Sequence, residues 1–284
     1  MSEIGILGII QLIFLIFTIL LALIYSIPII FIRRFHTVNN IITANLCFAA
    51  ICCAIYGTFL IITATFYPNV LYNSTICIIF NYFEVMPNLQ VSLAIVEASV
   101  NRMCSTVYHT KPFLRTKKWA TICIASQWST GIILSLPTIL FDESNCGEQL
   151  WRRIYKFIII VIIPSIICLV NNIMIFKYVR SSTNRIQTSL ENAKNNQQQH
   201  QHQHLSRRDL HLLRHMIVMF CIFVVGWSPI NLYSVFVNVG SITSTIVSIF
   251  ILLGDLSLLI DISNLFLYNH ELRRYFREKI CRRH

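Results

Sequence analysis

Apolar positions along this chain gather into seven long blocks separated by short polar connections. They lie near Ile4–Ile32, Ile41–Phe66, Ile76–Val107, Trp119–Phe141, Tyr155–Val179, Leu212–Asn238 and Ile242–Leu267. A helix that crosses a bilayer needs about 20 mostly apolar residues at roughly 1.5 Å of rise each. Every block meets that length. After Tyr268 the pattern changes: Leu272, Tyr275, Phe276 and Ile280 recur at helical spacing opposite a basic face, which predicts a helix lying in the membrane interface. The expected fold class is an all-α membrane protein, a seven-transmembrane helix bundle with a short C-terminal interfacial helix. One bundle domain spans 1–268, and 269–284 forms the amphipathic helix and tail.

Composition agrees with this reading. The chain of 284 residues is 55% hydrophobic and 12% charged, with a mean hydropathy of +0.64, where soluble domains average about 25% charged. No remaining polar stretch reaches the roughly 50 residues of a small soluble domain. The start lacks the basic n-region of a signal peptide, and Arg33 and Arg34 follow the first apolar block instead of preceding it.

Charge placement predicts the topology. Of the 23 Lys and Arg, only Arg152, Arg153 and Lys156 fall clearly on the side shared by the second, fourth and sixth connections. Lys and Arg mark the cytoplasmic side. The N-terminus is therefore expected outside, the C-terminus inside, and the chain multi-pass in the plasma membrane. The net charge of +11 then reflects orientation and attraction to anionic lipid, with no nucleic-acid partner.

Most of the ten cysteines lie within spans, where small buried apolar residues are the ordinary reading. Cys77 and Cys146 differ, since both sit on the expected outer, oxidising side, where a disulfide persists. The sequon Asn73-Ser74-Thr75 lies on that same side and makes Asn73 a glycosylation candidate. Cys281, at the end of the interfacial helix, is a candidate for S-acylation. The inner connection Ser181–Asp209 holds a Gln/His-rich run from Asn195 to His204, which reads as a flexible linker. No cofactor and no dedicated metal centre are expected, because all nine histidines lie outside the spans or at their cytoplasmic ends. That placement argues against an intramembrane zinc hydrolase.

Several short elements recur in a telling order. Thr37-Val38-Asn39-Asn40 leads into the second span, which contains Leu46. Cys77 opens the third, and 25 residues later comes Asn101-Arg102-Met103. Trp128 pairs with Pro137 in the fourth, and Pro164 marks the fifth. Phe223, Gly226-Trp227 and Pro229 follow in the sixth, then Asn264-Leu265-Phe266-Leu267-Tyr268 in the seventh. This order resembles the rhodopsin-like G-protein-coupled receptors over nearly the whole chain. The resemblance implies a receptor, not an enzyme. An extracellular ligand, a small amine or a peptide, would bias an equilibrium that opens the inner helix ends to a heterotrimeric G protein.

Residue by residue, the resemblance implies that Arg102, with Asn101, Phe223, Pro229, Asn264 and Tyr268, serves coupling and switching. The departures matter equally. Asn101 stands where the family usually has Asp, Gly226 replaces Cys, and Leu265 replaces Pro. Ala22 and Ala50 stand where the family has Asn and Asp, which help hold a sodium ion. Asp261, one turn before Asn264, is a candidate replacement carboxylate for sodium, or else a neutral Asp hydrogen-bonded internally. Because Asn101 cannot neutralise Arg102, elevated basal signalling is expected.

On the outer half of the third span Asn81, Glu84 and Asn88 form one stripe. Glu84 and Asn88 are candidate ligand contacts, with Trp227 and Asn231 of the sixth span opposite. A buried carboxylate there attracts an amine or guanidinium; alternatively Lys156 or Arg153 satisfies Glu84 internally. Arg102 lies 18 residues further on, about 27 Å along the helix axis. Glu97 lies off the Glu84 stripe and is open to pairing with a neighbouring helix, without a sharp role; Asp255 is six residues from Asp261, on another face, and has none either. The competing readings are a degenerate receptor-fold protein that does not couple and a transporter or channel. The latter would favour broken helices and internal repeats, and no repeat is present.

Overall fold

A computed structural model describes residues 3–67, 74–108, 111–140, 149–192, 199–236 and 244–281. Among these residues the regular structure is helical throughout. The first four spanning helices are α1 (Glu3–Phe31), α2 (Val38–Phe66), α3 (Ser74–Val107) and α4 (Lys117–Ser135), the last extended by one turn at Pro137–Leu140. The fifth rod, α5, runs through Leu150–Phe157, a π-helical turn at Ile158–Ile162, and Ile163–Asn192. Then come α6 (Gln199–Phe236), α7 (Ser244–Tyr268) and the short α8 (His270–Cys281). Seven of these are long and apolar enough to cross a membrane. In hydrocarbon every backbone N–H and C=O must be satisfied internally, which helices achieve.

Side-chain caps set several boundaries. The Thr37 hydroxyl accepts from the backbone N–H of Asn40 at 3.3 Å to start α2, and Thr116 accepts from Trp119 at 3.3 Å to start α4. The π turn of α5 adjoins Pro164, whose missing N–H interrupts the regular ladder. Pro28, Pro87 and Pro229 lie inside α1, α3 and α6.

The helices pack in a ring: α1 on α2, α2 on α3, α3 on α4 and α5, α5 on α6, α6 on α7, and α7 back on α1. The interior is close-packed with small and branched residues such as Ala22, Ala50, Val85, Leu89 and Leu258, all buried. Large apolar residues face outward instead, including Phe17, Phe59 and Ile133, as lipid-facing surfaces require. Leu272 of α8 is fully buried, and Tyr275 and Phe276 pack on Phe35 and Phe266, so α8 is seated against the bundle.

Two sequence expectations need correction. The second outer connection was expected to run to Arg153, but α5 begins at Leu150. Arg152, Arg153 and Lys156 therefore sit on one helical face, turned inward with buried stems. The linker expected over Ser181–Asp209 is helical up to Asn192 and again from Gln199. Gln, Lys, Arg and Glu are good helix formers, and extending an existing helix needs no new nucleus. Asn73 and Cys146 lie outside the described residues.

Candidate functional sites at the two ends of the third helix

Helix α3 carries the main candidates at both ends. At one end Lys156 Nζ donates to Glu84 Oε2 at 2.7 Å, joining α5 to α3. The lysine side chain is 9% exposed and the glutamate 40%, so the carboxylate is the accessible member of the pair. Arg153 Nη1 donates to the Ser234 carbonyl on α6 at 3.0 Å. The internal partner weighed for Glu84 is thus present, and any ligand meets a carboxylate already paired.

The other expected ligand residues are held by partners within the bundle. The Cys53 thiol donates to Asn88 Oδ1 at 3.1 Å, while Asn88 Nδ2 donates to the Glu84 carbonyl at 2.7 Å. Asn231 Nδ2 donates to the Trp227 carbonyl one turn earlier at 2.8 Å. The Trp227 ring lies over Gly254 of α7, where an added Cβ would sit 3.7 Å from the indole. Among the described residues no hydrogen bond joins Glu84 or Asn88 to Trp227 or Asn231. Cys77, at the mouth of α3, is disulfide-bonded, and its expected partner Cys146 lies outside the described residues.

Between the two ends runs a buried polar network that the sequence reading missed. Asn45 Nδ2 donates to Glu97 Oε2 at 2.8 Å and to Gln127 Oε1 at 2.6 Å, and Trp128 Nε1 donates to Asn45 Oδ1 at 2.9 Å. Gln127 Nε2 donates in turn to Gln90 Oε1 at 3.0 Å. These side chains tie α2, α3 and α4 together, and Glu97 pairs with a neighbouring helix, α2, through Asn45. Asn, Glu and Gln inside apolar spans were the available signal.

At the opposite end Asn101 is 3% exposed and donates through Nδ2 to Asn39 Oδ1 of α2 at 2.9 Å. Among the described residues Arg102 has no ion-pair partner. Its side chain borders a cavity of about 20 Å³ together with Asn39, Thr43, Asn101, Met219 and Leu265. A second clasp lies nearby. Asn269 Nδ2 donates to the Tyr25 hydroxyl at 2.9 Å and to Asn40 Oδ1 at 3.4 Å, while Asn269 Oδ1 caps α8 at the Leu272 N–H, 3.1 Å away. Phe223 is buried beneath this region, and Pro229 sits half-buried in α6. Asn264 is half-buried, and Tyr268 is 38% exposed and turned outward.

Three departures from the family pattern have a packing reason. A Cβ at Gly226 would fall 2.2 Å from Ser257 Oγ and 2.3 Å from Ser257 Cβ, so α6 and α7 meet there only with glycine. Ala22 and Ala50 are fully buried and fill space as hydrocarbon. Asp261 is 4% exposed, and its Oδ1 has no hydrogen-bond partner among the described residues. That orphaned oxygen suits a cation, but among the described residues no three His, Cys, Asp or Glu side chains gather around one point. The fit to sodium therefore rests on one carboxylate.

Comparison with known proteins agrees with the geometry. Residues 22–261 match the family model for the 7 transmembrane receptor (rhodopsin family). The neuropeptide S receptors of Homo sapiens and Macaca mulatta are each 24% identical over 189 residues, 60% of this chain and 50% of theirs. The match thus spans half the length of these relatives. The crystal structure of squid rhodopsin superposes with a TM-score of 0.78 at 14% identity, covering 96% of this chain and 84% of the rhodopsin, which establishes the shared fold. The family consists of receptors and not of enzymes. With a family model covering most of its length and the seven-helix architecture in place, this chain belongs to the rhodopsin family of seven-transmembrane receptors.

Proposed function

We propose that the receptor binds an extracellular peptide at the Glu84 end of the bundle and passes the event to a heterotrimeric G protein at the Arg102 end. The observation that carries this reading is α3 itself. One continuous helix holds the Glu84–Lys156 pair towards one mouth and, at the other, an Arg102 that has no carboxylate partner among the described residues. A ligand that favours one arrangement of the Glu84, Lys156 and Arg153 contacts biases how α3, α5 and α6 pack, and only such differential affinity shifts the equilibrium.

The peptide assignment draws on the neuropeptide S receptors among its relatives and on the accessible carboxylate, which suits a cationic residue or an amino terminus. Lys and Arg concentrated at the Arg102 end support a cytoplasmic orientation for that end in the plasma membrane. Within this proposal Cys77 pairs with Cys146, Asn73 carries glycan, Cys281 is acylated, and Asp261 supplies the carboxylate for sodium.

A second reading, a receptor fold that no longer couples, draws on Asn101 being engaged by Asn39. Second-messenger output at matched surface expression separates the two, measured without ligand and then across a neuropeptide panel. A response that requires Arg102 supports coupling. Silence across receptor, ligand panel and G-protein classes favours the non-coupling reading.

A further inference from the structure

The cavity beside Arg102 has the makings of an ion site. A guanidinium is permanently charged and offers only donors. Here the adjacent residue is Asn101, whose Nδ2 is committed to Asn39 Oδ1. Asn39 lines the same cavity, and its Nδ2 makes no hydrogen bond among the described residues. The Thr43 hydroxyl proton is committed to the Asn39 carbonyl at 2.8 Å and adds no donor. Met219 and Leu265 form apolar walls, which lower the local dielectric and strengthen any charge contact made inside. A partly buried cation without a counter-charge is costly, and a bound counter-ion relieves that cost.

We propose that this cavity binds a small inorganic anion of chloride size, which supplies to Arg102 the negative charge that an acid at position 101 would otherwise provide. Size selects the class. The space, about 20 Å³, suits a water-sized guest and so a monatomic anion better than a bulky carboxylate such as gluconate. The anion neutralises Arg102 in the closed bundle and must leave before Arg102 can engage a protein partner. Anion binding at this end and coupling therefore oppose each other, as linkage requires.

The test uses the full-length receptor purified in detergent at constant sodium, with thermal unfolding followed in sodium chloride against sodium gluconate. The expected result is a saturable rise in Tm of about 2–4 °C in chloride. Bromide should reproduce it, with an anomalous scattering peak beside Arg102 in bromide-grown crystals. Arg102→Gln should abolish the rise. Asn101→Asp, which puts a carboxylate in place without removing the guanidinium, should abolish it as well, and it carries the test if the first variant does not fold. Equal Tm in both anions for the wild type overturns the proposal, as does a rise that persists in Asn101→Asp. The readout needs neither ligand nor G protein, so its failure leaves the coupling proposal untouched.

Discussion

Asn101 and Asn39 share a 2.9 Å side-chain hydrogen bond that fastens α3 to the base of α2 immediately beside Arg102. A neutral amide pair thus stands where a charged restraint would be. A neutral hydrogen bond contributes about 1 kcal/mol net, and one to a charged group about 1.5–3 kcal/mol. Asn39→Ala is expected to raise ligand-free second-messenger output about fivefold, at surface levels matched to wild type. Asn101→Asp should lower basal output by restoring a charge pair with Arg102. Wild-type output in both variants would show that the Asn101–Asn39 bond does not restrain the inactive state.

The Glu84–Lys156 pair should respond unequally to loss of either member. Lys156 is the more buried partner. Glu84→Gln therefore takes the carboxylate from a desolvated ammonium, while Lys156→Met leaves a carboxylate that water still reaches. Breaking a fully buried pair costs about 3–5 kcal/mol, and partial exposure of Glu84 reduces that figure here. The larger drop in Tm is expected for Glu84→Gln. A larger drop for Lys156→Met would contradict this burial order.

Gly226 is required by close approach of helices, not by backbone conformation. Gly226→Ala drives a methyl group into Ser257 of α7, at about 1–3 kcal/mol for overpacking. The variant should show lower thermal stability and lower surface expression. Adding Ser257→Gly removes both the Cβ and the hydroxyl from the clash and should restore most of the loss. No recovery in the double variant would place the cost elsewhere.

Asn45 holds three partners at once, on α3 and α4. Asn45→Ala leaves the Trp128 N–H without its acceptor and Glu97 and Gln127 without their donor, and each unsatisfied buried group costs about 1–3 kcal/mol. Glu97→Gln keeps an acceptor for the Asn45 amide and should be much milder. Comparing the two variants by thermal unfolding checks this order, and equal losses would argue against a shared network.

The seven spans and the interfacial helix were legible because lipid imposes length and apolarity directly on sequence. Motif order singles out Arg102, Trp227 and Pro229 as candidates. What escaped depended on neighbours distant in the chain. Asn45 and Gln127 are 82 residues apart, and no local pattern announces their meeting. Gly226 reads as a departure until Ser257 is seen against it. Arg152 and Arg153 read as loop charges because local composition does not reveal that buried acceptors, such as the Ser234 carbonyl for Arg153, turn them inward. Glu84 was legible as a special carboxylate, and its pairing with Lys156 was one of two alternatives that sequence alone could not rank.

The most direct test of the central claim is second-messenger output from wild type and Arg102→Ala at equal surface density, without ligand and with any peptide that activates the wild type. Wild type is expected to signal, and Arg102→Ala to lose that signal while peptide still binds at the Glu84 end. A wild-type response that survives Arg102→Ala undiminished would contradict that claim.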